Sequence, residues 1–173
     1  MKMIYSLFAA ILFSISANAA GLSTSRYSSV ANEEKAGQFG AGLAVGSLTG
    51  LSTQYWLDNG RAINATFAAE RGNVALSVAH LWLFRGAFAN TSRRANDFVP
   101  YIGIGAIAAF GTQSDYFTRN NENVAVAAQV PFGIEFLPSL QRFDIFAELA
   151  PSLEIVPTTG GFLTADLGAR FYF

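Results

Sequence analysis

Few side chains in this sequence could do chemistry, and most of the charged candidates lie in its last quarter. Glu135, Asp144, Glu148, Asp166 and Arg170 are each flanked by apolar residues. Because side chains on a β-strand alternate between two faces, this spacing places all five on one polar face of successive strands. A buried charge is stable only when it is paired. We therefore expect a polar network in which Arg170 bonds to Glu148 or to Asp144.

Candidates for catalysis are scarcer still. His80 is the only histidine, and so the only side chain suited to proton transfer near neutral pH. The sequence has no cysteine and no paired-histidine metal spacing, phosphate-binding loop or dinucleotide fingerprint. Gly103-Ile104-Gly105 is better explained by close approach of strands than by phosphate binding. We predict no catalytic, cofactor-binding or metal-binding residues, and interpret His80 as an imidazole at an interface.

The elements that carry these residues are predicted from hydrophobic periodicity. In the last thirteen residues every second side chain is apolar, from Leu163 to Phe173, whereas Thr164, Asp166 and Arg170 lie between them. The same alternation, broken by turns such as Asp58-Asn59-Gly60, recurs along the chain. It predicts eight strands, at about Gln38–Gly46, Leu51–Leu57, Ala62–Glu70, Val74–Arg85, Phe98–Phe110, Val124–Phe136, Phe143–Ser152 and Gly161–Phe173. The fourth is apolar on both faces; we favour Leu76, Val78, His80, Trp82 and Phe84 as its outward set.

Composition separates a membrane protein from a soluble one. Hydrophobic residues make up 51% of the chain and charged residues only 13%, against about 25% charged in a typical soluble domain. A soluble β-sandwich or lipocalin-like barrel would need more surface charge. No stretch after the N-terminus has the 18 apolar residues of a spanning helix. The sequence therefore favours an all-β, eight-stranded antiparallel transmembrane up-and-down barrel. A net charge of −1 argues against binding to nucleic acid.

The N-terminus has the features of an export signal. Lys2 precedes an apolar run from Leu7 to Ile15, and Ala17-Asn18-Ala19 supplies the small residues needed for cleavage. We predict a signal peptide over residues 1–19, a flexible arm over 20–36 and the barrel over 37–173.

Aromatic residues provide a test of the barrel that is independent of alternation. If both ends of the barrel lie in the periplasm, aromatic side chains from nearly every strand fall at the periplasmic level. They are Phe39, Tyr55, Trp82, Phe84, Phe98, Phe136, Phe143, Phe171 and Phe173. Such a girdle is typical of the level at which rings lie among lipid headgroups. The opposite end is poorer, with Phe67 and Phe110.

An amphipathic last strand that ends in Phe173 resembles the terminal strand of Gram-negative outer-membrane barrels, and residues 38–173 resemble the small OmpA, OmpX and OmpW type. Gly50–Leu57, Leu81-Trp82 and Tyr101–Gly105 are also similar to uncharacterised bacterial barrel proteins. The resemblance implies location in the outer membrane, contact with lipid and lipopolysaccharide, and recognition of the last strand by the barrel assembly machinery. We expect a monomer.

Three functions stay open for such a barrel. The first is a non-enzymatic role in envelope integrity or surface interaction, with a lumen plugged by side chains. The second is a narrow channel for ions or small hydrophobic solutes, similar to OmpW-like barrels, in which lumenal acids would favour cations. The third and most distant is a lipid-modifying enzyme. Outer-membrane lipid A deacylases use a His-x-Ser pattern, and the residue two after His80 is Trp82 instead.

Overall fold

The computed structural model describes residues 38–70, 73–88, 95–111, 124–138, 142–157 and 159–173. The predicted signal peptide and arm lie outside the described residues. The described residues form nine β-strands, with a single 3-10 turn at Ala95–Asp97. The strands are β1 (Phe39–Gly46), β2 (Gly50–Asp58), β3 (Arg61–Glu70), β4 (Asn73–Leu83), β5 (Phe98–Gly111), β6 (Val124–Gln129), β7 (Phe132–Phe136), β8 (Phe143–Val156) and β9 (Gly160–Tyr172). Among these residues no helix is long and apolar enough to cross a membrane.

Antiparallel pairing closes the strands into a ring of eight. Each of β1 to β4 pairs with the next, β4 pairs with β5, β8 pairs with β9, and β9 returns to β1. Both β6 and β7 pair with β5 on one side and β8 on the other, in one continuous register. They are therefore two halves of the sixth barrel strand. The predicted all-β, eight-stranded antiparallel barrel is confirmed. The interruption in the sixth strand was not predicted, and several strands begin or end a few residues from their predicted bounds.

Pro131 accounts for that interruption. A proline has no N–H to donate to the ladder, so the strand pairing stops at Val130 and Pro131 and resumes at Phe132. The carbonyl of Pro131 still accepts a bond from the Gly103 N–H at 2.7 Å, and the Val130 N–H donates to the Pro151 carbonyl at 3.0 Å. The wall of the barrel stays closed across the break.

Residue pairing also fixes the tilt of the strands. Starting from Gly42 on β1, we followed the directly paired residue from each strand to the next around the ring. The residues met in turn are Ser52, Thr66, Ser77, Ile107, Ala127, Glu154 and Gly160. Gly160 precedes Asp166 by six residues, and Asp166 pairs with Gly46, four residues after Gly42. The stagger is therefore about ten residues, which for eight strands corresponds to a tilt of about 40° and a backbone radius of about 8 Å. Side chains can fill such an interior.

The alternation of burial follows the sequence pattern on every strand. On β4 the side chains of Ala75, Ser77, Ala79, Leu81 and Leu83 are buried. Leu76, Val78 and Trp82 are exposed, and His80 is half-buried on the same face. The favoured facing of the fourth strand is thus confirmed. Apolar side chains cover the outside of the ring, and polar side chains lie among the inward ones.

Two apolar clusters occupy the interior. One cluster lies toward the end of the barrel that carries Phe39 and Phe173, here called the terminal rim; the opposite end is the far rim. The terminal-rim cluster comprises Trp56, Ala62, Ala79, Leu81, Leu83, Val99, Tyr101, Leu137 and Tyr172. The far-rim cluster comprises Leu48, Ala68, Ala75, Ile107, Ala109, Ala125 and Ala127, with Phe162 packed against it.

Close approach of strands requires glycine at several positions of the wall, and Gly42 is one of them. A Cβ on Gly42 would lie 2.6 Å from the Cα of Arg170 and even closer to the carbonyl oxygen of Ala169. Gly42 pairs directly with Arg170 across β1 and β9. The small residue therefore lets β1 run past the strand that carries the lumenal arginine.

Candidate functional site

The lumen holds a buried cluster of three charges near the terminal rim. The Nε of Arg170 donates to both carboxylate oxygens of Asp144 at 3.1 Å, and its Nη2 lies 2.8 Å from Asp144 Oδ2. The same Nη2 donates to Glu135 Oε1 at 2.6 Å. These side chains are at most 1% exposed. Charge-assisted bonds of this geometry are among the strongest in proteins, and here they hold three neighbouring strands together.

Strand register explains why these three side chains meet. Asp144 on β8 is directly opposite Arg170 on β9. Glu135 on β7 is opposite Phe146, two residues along β8 from Asp144 and therefore on the same inward face. The long arginine side chain reaches from β9 across β8 to β7.

The structure brings only part of the predicted polar network together. Of the two partners predicted for Arg170, the structure shows Asp144, whereas Glu148 accepts a bond from the Tyr101 hydroxyl at 2.8 Å. Glu148 is opposite Asp166, not Arg170, because it lies four residues further along β8. Asp166 accepts a bond from the Leu48 N–H at 2.7 Å and so anchors the turn between β1 and β2. The second carboxylate bonded to Arg170 is therefore Glu135, and not Glu148.

Two neutral residues that the sequence did not assign to the network complete it. The hydroxyl of Tyr172 donates to Asp144 Oδ2 at 2.6 Å. The Nε2 of Gln54 lies 3.2 Å from the Tyr172 hydroxyl and 3.4 Å from Glu135 Oε2. The alternation of the sequence places Gln54 and Tyr172 on the inward face. This inward position was the sequence feature that could have indicated their part in the network. The layer formed by Gln54, Glu135, Asp144, Arg170 and Tyr172 is called the plug below.

An aromatic ring packs against each of two guanidinium groups in the lumen. The Cζ of Arg170 lies 4.3 Å from the centre of the Phe146 ring, and the Cζ of Arg85 lies 4.6 Å from the centre of the Trp56 ring. Both distances are within the range of cation–π attraction. Trp56 and Tyr172 are fully buried with their ring centres 6.5 Å apart. Two bulky aromatic rings therefore lie in the lumen close to the plug, on its terminal-rim side.

Charge is distributed unevenly around the lumen. Among the described inward positions, the carboxylates all lie on β7, β8 and β9. They are Glu135, Asp144, Glu148, Glu154 and Asp166. The arginines at these positions are Arg85 and Arg170, and the side chains of β1 to β5 that the structure describes as buried are uncharged. The lumen is thus acidic on one side.

The aromatic residues predicted for the girdle lie at the terminal rim and point outward. Strand pairing places Phe39 opposite Tyr55, Phe98 opposite Phe136 and Phe143 opposite Phe171. Ring centres are 5.0 Å apart for Phe98 and Phe136 and 5.4 Å apart for Phe171 and Phe173. The remaining predicted members, Trp82 and Phe84, are exposed on the same side of the wall. The Phe173 N–H donates to the Phe39 carbonyl at 2.9 Å, which joins the two ends of the barrel sequence at this rim.

His80 lies on the outer face, away from the plug. Its ring packs edge-on against Trp82, with ring centres 4.7 Å apart. Its partners in the neighbouring strands are Ile63 and Ile104, so it sits in an apolar surface. Within the described ranges, no group of three or more acidic or histidine side chains is arranged to hold a metal ion.

Comparison with known proteins supports the fold. No protein family and no curated protein matches the sequence. The crystal structure of the N-terminal β-barrel domain of Pseudomonas aeruginosa OprF is similar, with a TM-score of 0.55 at 16% identity, over 79% of this chain and 96% of that domain. Two structures of Ail from Yersinia pestis, one in a phospholipid bilayer nanodisc and one a crystal structure, give TM-scores of 0.44 and 0.40. Their identities are 17% and 16%, over 79% and 80% of this chain and 97% and 99% of theirs.

The likeness to the OprF β-barrel domain agrees with the closed ring of antiparallel strands. The chain therefore has the fold of the small eight-stranded outer-membrane β-barrels.

Proposed function

We propose that this chain is a non-enzymatic integral protein of the bacterial outer membrane, with its lumen closed by the plug and a role in envelope integrity or surface interaction. The main observation behind the proposal is that the barrel wall exposes apolar side chains on its outer face and buries polar and charged side chains on its inner face, the reverse of a soluble protein. Leu43 is 67% exposed on the outside, whereas Arg170 is 2% exposed on the inside. Such a wall is stable in lipid and costly in water.

The orientation follows from the two rims. The aromatic residues of the terminal rim would lie among the lipid headgroups of the periplasmic face, as in other outer-membrane barrels. Export by the predicted signal peptide and insertion by the assembly machinery through β9 are consistent with this orientation. The outward apolar face would contact lipid and lipopolysaccharide, and we propose that the barrel is monomeric.

A closed lumen is supported by the geometry of the plug. The guanidinium of Arg170 bridges two carboxylates, the Phe146 ring packs against it, and the Tyr172 hydroxyl bonds to one of the carboxylates. An eight-stranded barrel has about enough interior for side chains alone. A lipid-modifying activity has less support, because His80 packs against Trp82 in an apolar surface.

A narrow cation channel is the second candidate, because the lumenal carboxylates outnumber the lumenal arginines. In that case the acidic side formed by β7, β8 and β9 would attract cations. The plug would then be the constriction through which ions pass.

Single-channel recording decides between the two candidates. Residues 20–173 would be refolded into a planar bilayer, and folding would be verified by the different gel mobility of heated and unheated samples. Silence from folded protein supports the plugged barrel. Discrete steps with cation preference support the channel, and Glu148→Gln should then reduce that preference. A chain that stays soluble without detergent or lipid would refute both candidates.

A further inference from the structure

Arg85 carries hydrogen-bond donors that have no partner. It follows β4 by two residues and continues the inward series of Leu81 and Leu83. Its Nε and Nη2 atoms are both buried, and neither has a hydrogen-bond partner. These two N–H groups lie on one edge of the guanidinium. That edge is the one that binds both oxygens of a carboxylate in parallel.

A third donor lies in the same small region. The indole Nε1 of Trp56 is also buried without a partner. The Cζ of Arg85 is 4.6 Å from the centre of the Trp56 ring, so the three N–H groups belong to one part of the lumen. Buried polar groups without partners are rare in folded proteins, and each one calls for an explanation.

We propose that the lumen beside Arg85 and Trp56, on the terminal-rim side of the plug, is a binding site for a carboxylate group. The Nε and Nη2 groups of Arg85 hold its two oxygens, and the indole N–H of Trp56 adds a third hydrogen bond. Trp56 belongs to the apolar terminal-rim cluster, which also contains Leu83 and Leu137.

The chemistry of the donors selects the ligand. All three groups donate and none accepts, so the site does not suit a cation. The nearest carboxylates, Glu135 and Asp144, already accept hydrogen bonds from Arg170. Neither carboxylate accepts a hydrogen bond from Nε or Nη2 of Arg85. The flat fork of an arginine fits a planar carboxylate better than a spherical chloride ion.

The position of the site limits how the ligand enters. Arg85 is half-buried and lies next to the terminal rim, and the plug closes the lumen behind it. A carboxylate therefore enters from the terminal rim. It belongs either to a small solute or to the C-terminal end of an extended peptide, and both present the same group to the fork.

Tryptophan fluorescence can report binding directly. The chain has two tryptophans, so Trp82→Phe leaves Trp56 as the only emitter. Residues 20–173 with this substitution would be folded in detergent and titrated with sodium acetate at constant ionic strength, with sodium chloride as the balancing salt. We expect a saturable change in the Trp56 emission. Arg85→Lys, which keeps the charge but loses the fork, should weaken binding by about tenfold, and Arg85→Met should abolish it.

Two additional measurements identify the molecule that supplies the carboxylate and provide a control for effects unrelated to Arg85. Stronger binding of a short peptide with a free C-terminus than of acetate, lost on amidation, would identify a peptide end; equal or weaker binding would identify a small solute. Arg61→Met, at an exposed arginine of the same rim, should leave the titration unchanged. No saturable response in protein shown to be folded would mean that water alone fills the site. That result, or an undiminished response in Arg85→Met, would overturn the proposal.

Discussion

Replacement of Arg170 by methionine tests whether the plug holds the barrel together. The substitution keeps much of the side-chain volume and removes the charge that bridges Asp144 and Glu135. Both carboxylates are fully buried, so they would face each other without a counter-ion. Breaking a buried ion pair in this way costs about 3–5 kcal/mol. Tyr172 and Gln54 still donate to the two acids, which keeps the expected loss within that range.

Urea unfolding in lipid vesicles measures this loss. Unfolding would be followed by tryptophan emission for the parent protein and for Arg170→Met. With a slope of about 2 kcal/mol/M, the expected midpoint is lower by about 1.5–2.5 M. Neutralising both acids as well, with Asp144→Asn and Glu135→Gln, should restore about half of the loss or more, because no unpaired buried charge then remains.

The exposed ion pair between Arg61 and Asp58 provides a matched control. It has a similar separation of 2.6 Å, but its side chains are 57% and 40% exposed. Arg61→Met should therefore leave the midpoint nearly unchanged, since solvent screens exposed pairs. A loss below about 1 kcal/mol for Arg170→Met would contradict the reasoning. So would a triple variant no more stable than the single one.

Three further changes test the plug and the wall by the same urea assay. Tyr172→Phe removes the hydroxyl bonded to Asp144 and should cost about 1–3 kcal/mol; no loss would mean that this bond contributes nothing. Gly42→Val would place side-chain atoms against the backbone of β9 and should cost at least about 2 kcal/mol. Gly161→Ala, with no atom closer than 4.0 Å to the new Cβ, should be tolerated, and equal losses would contradict the close approach. Leu43→Arg should cost about 2–4 kcal/mol in lipid if that outward position lies near the bilayer midplane, and Leu43→Met should not.

The sequence predicted the architecture well because alternation is a local property. A strand that is apolar on one face and polar on the other shows its facing within a few residues, and this was sufficient to orient Arg170 and Asp166 inward. The resemblance to small outer-membrane barrels, drawn from the terminal Phe173 and the alternation, is confirmed at the level of fold. The break at Pro131 was missed because alternation continues through it, although proline cannot donate to the ladder.

The partners of Arg170 were only partly predictable, because they depend on register and ring closure. The direction in which side chains face limits the possible partners of Arg170 to inward carboxylates. It does not distinguish Asp144 from Glu148, which lie four residues apart on the same face of β8. Glu135 lies a further strand away, and its distance from Arg170 depends on how β7 pairs with β8. The donors of Arg85 are less predictable still, since an unpaired atom becomes evident only when every neighbour is in place. Local pattern thus determines which residues enter the lumen, whereas the closed ring determines which of them remain free to bind a ligand.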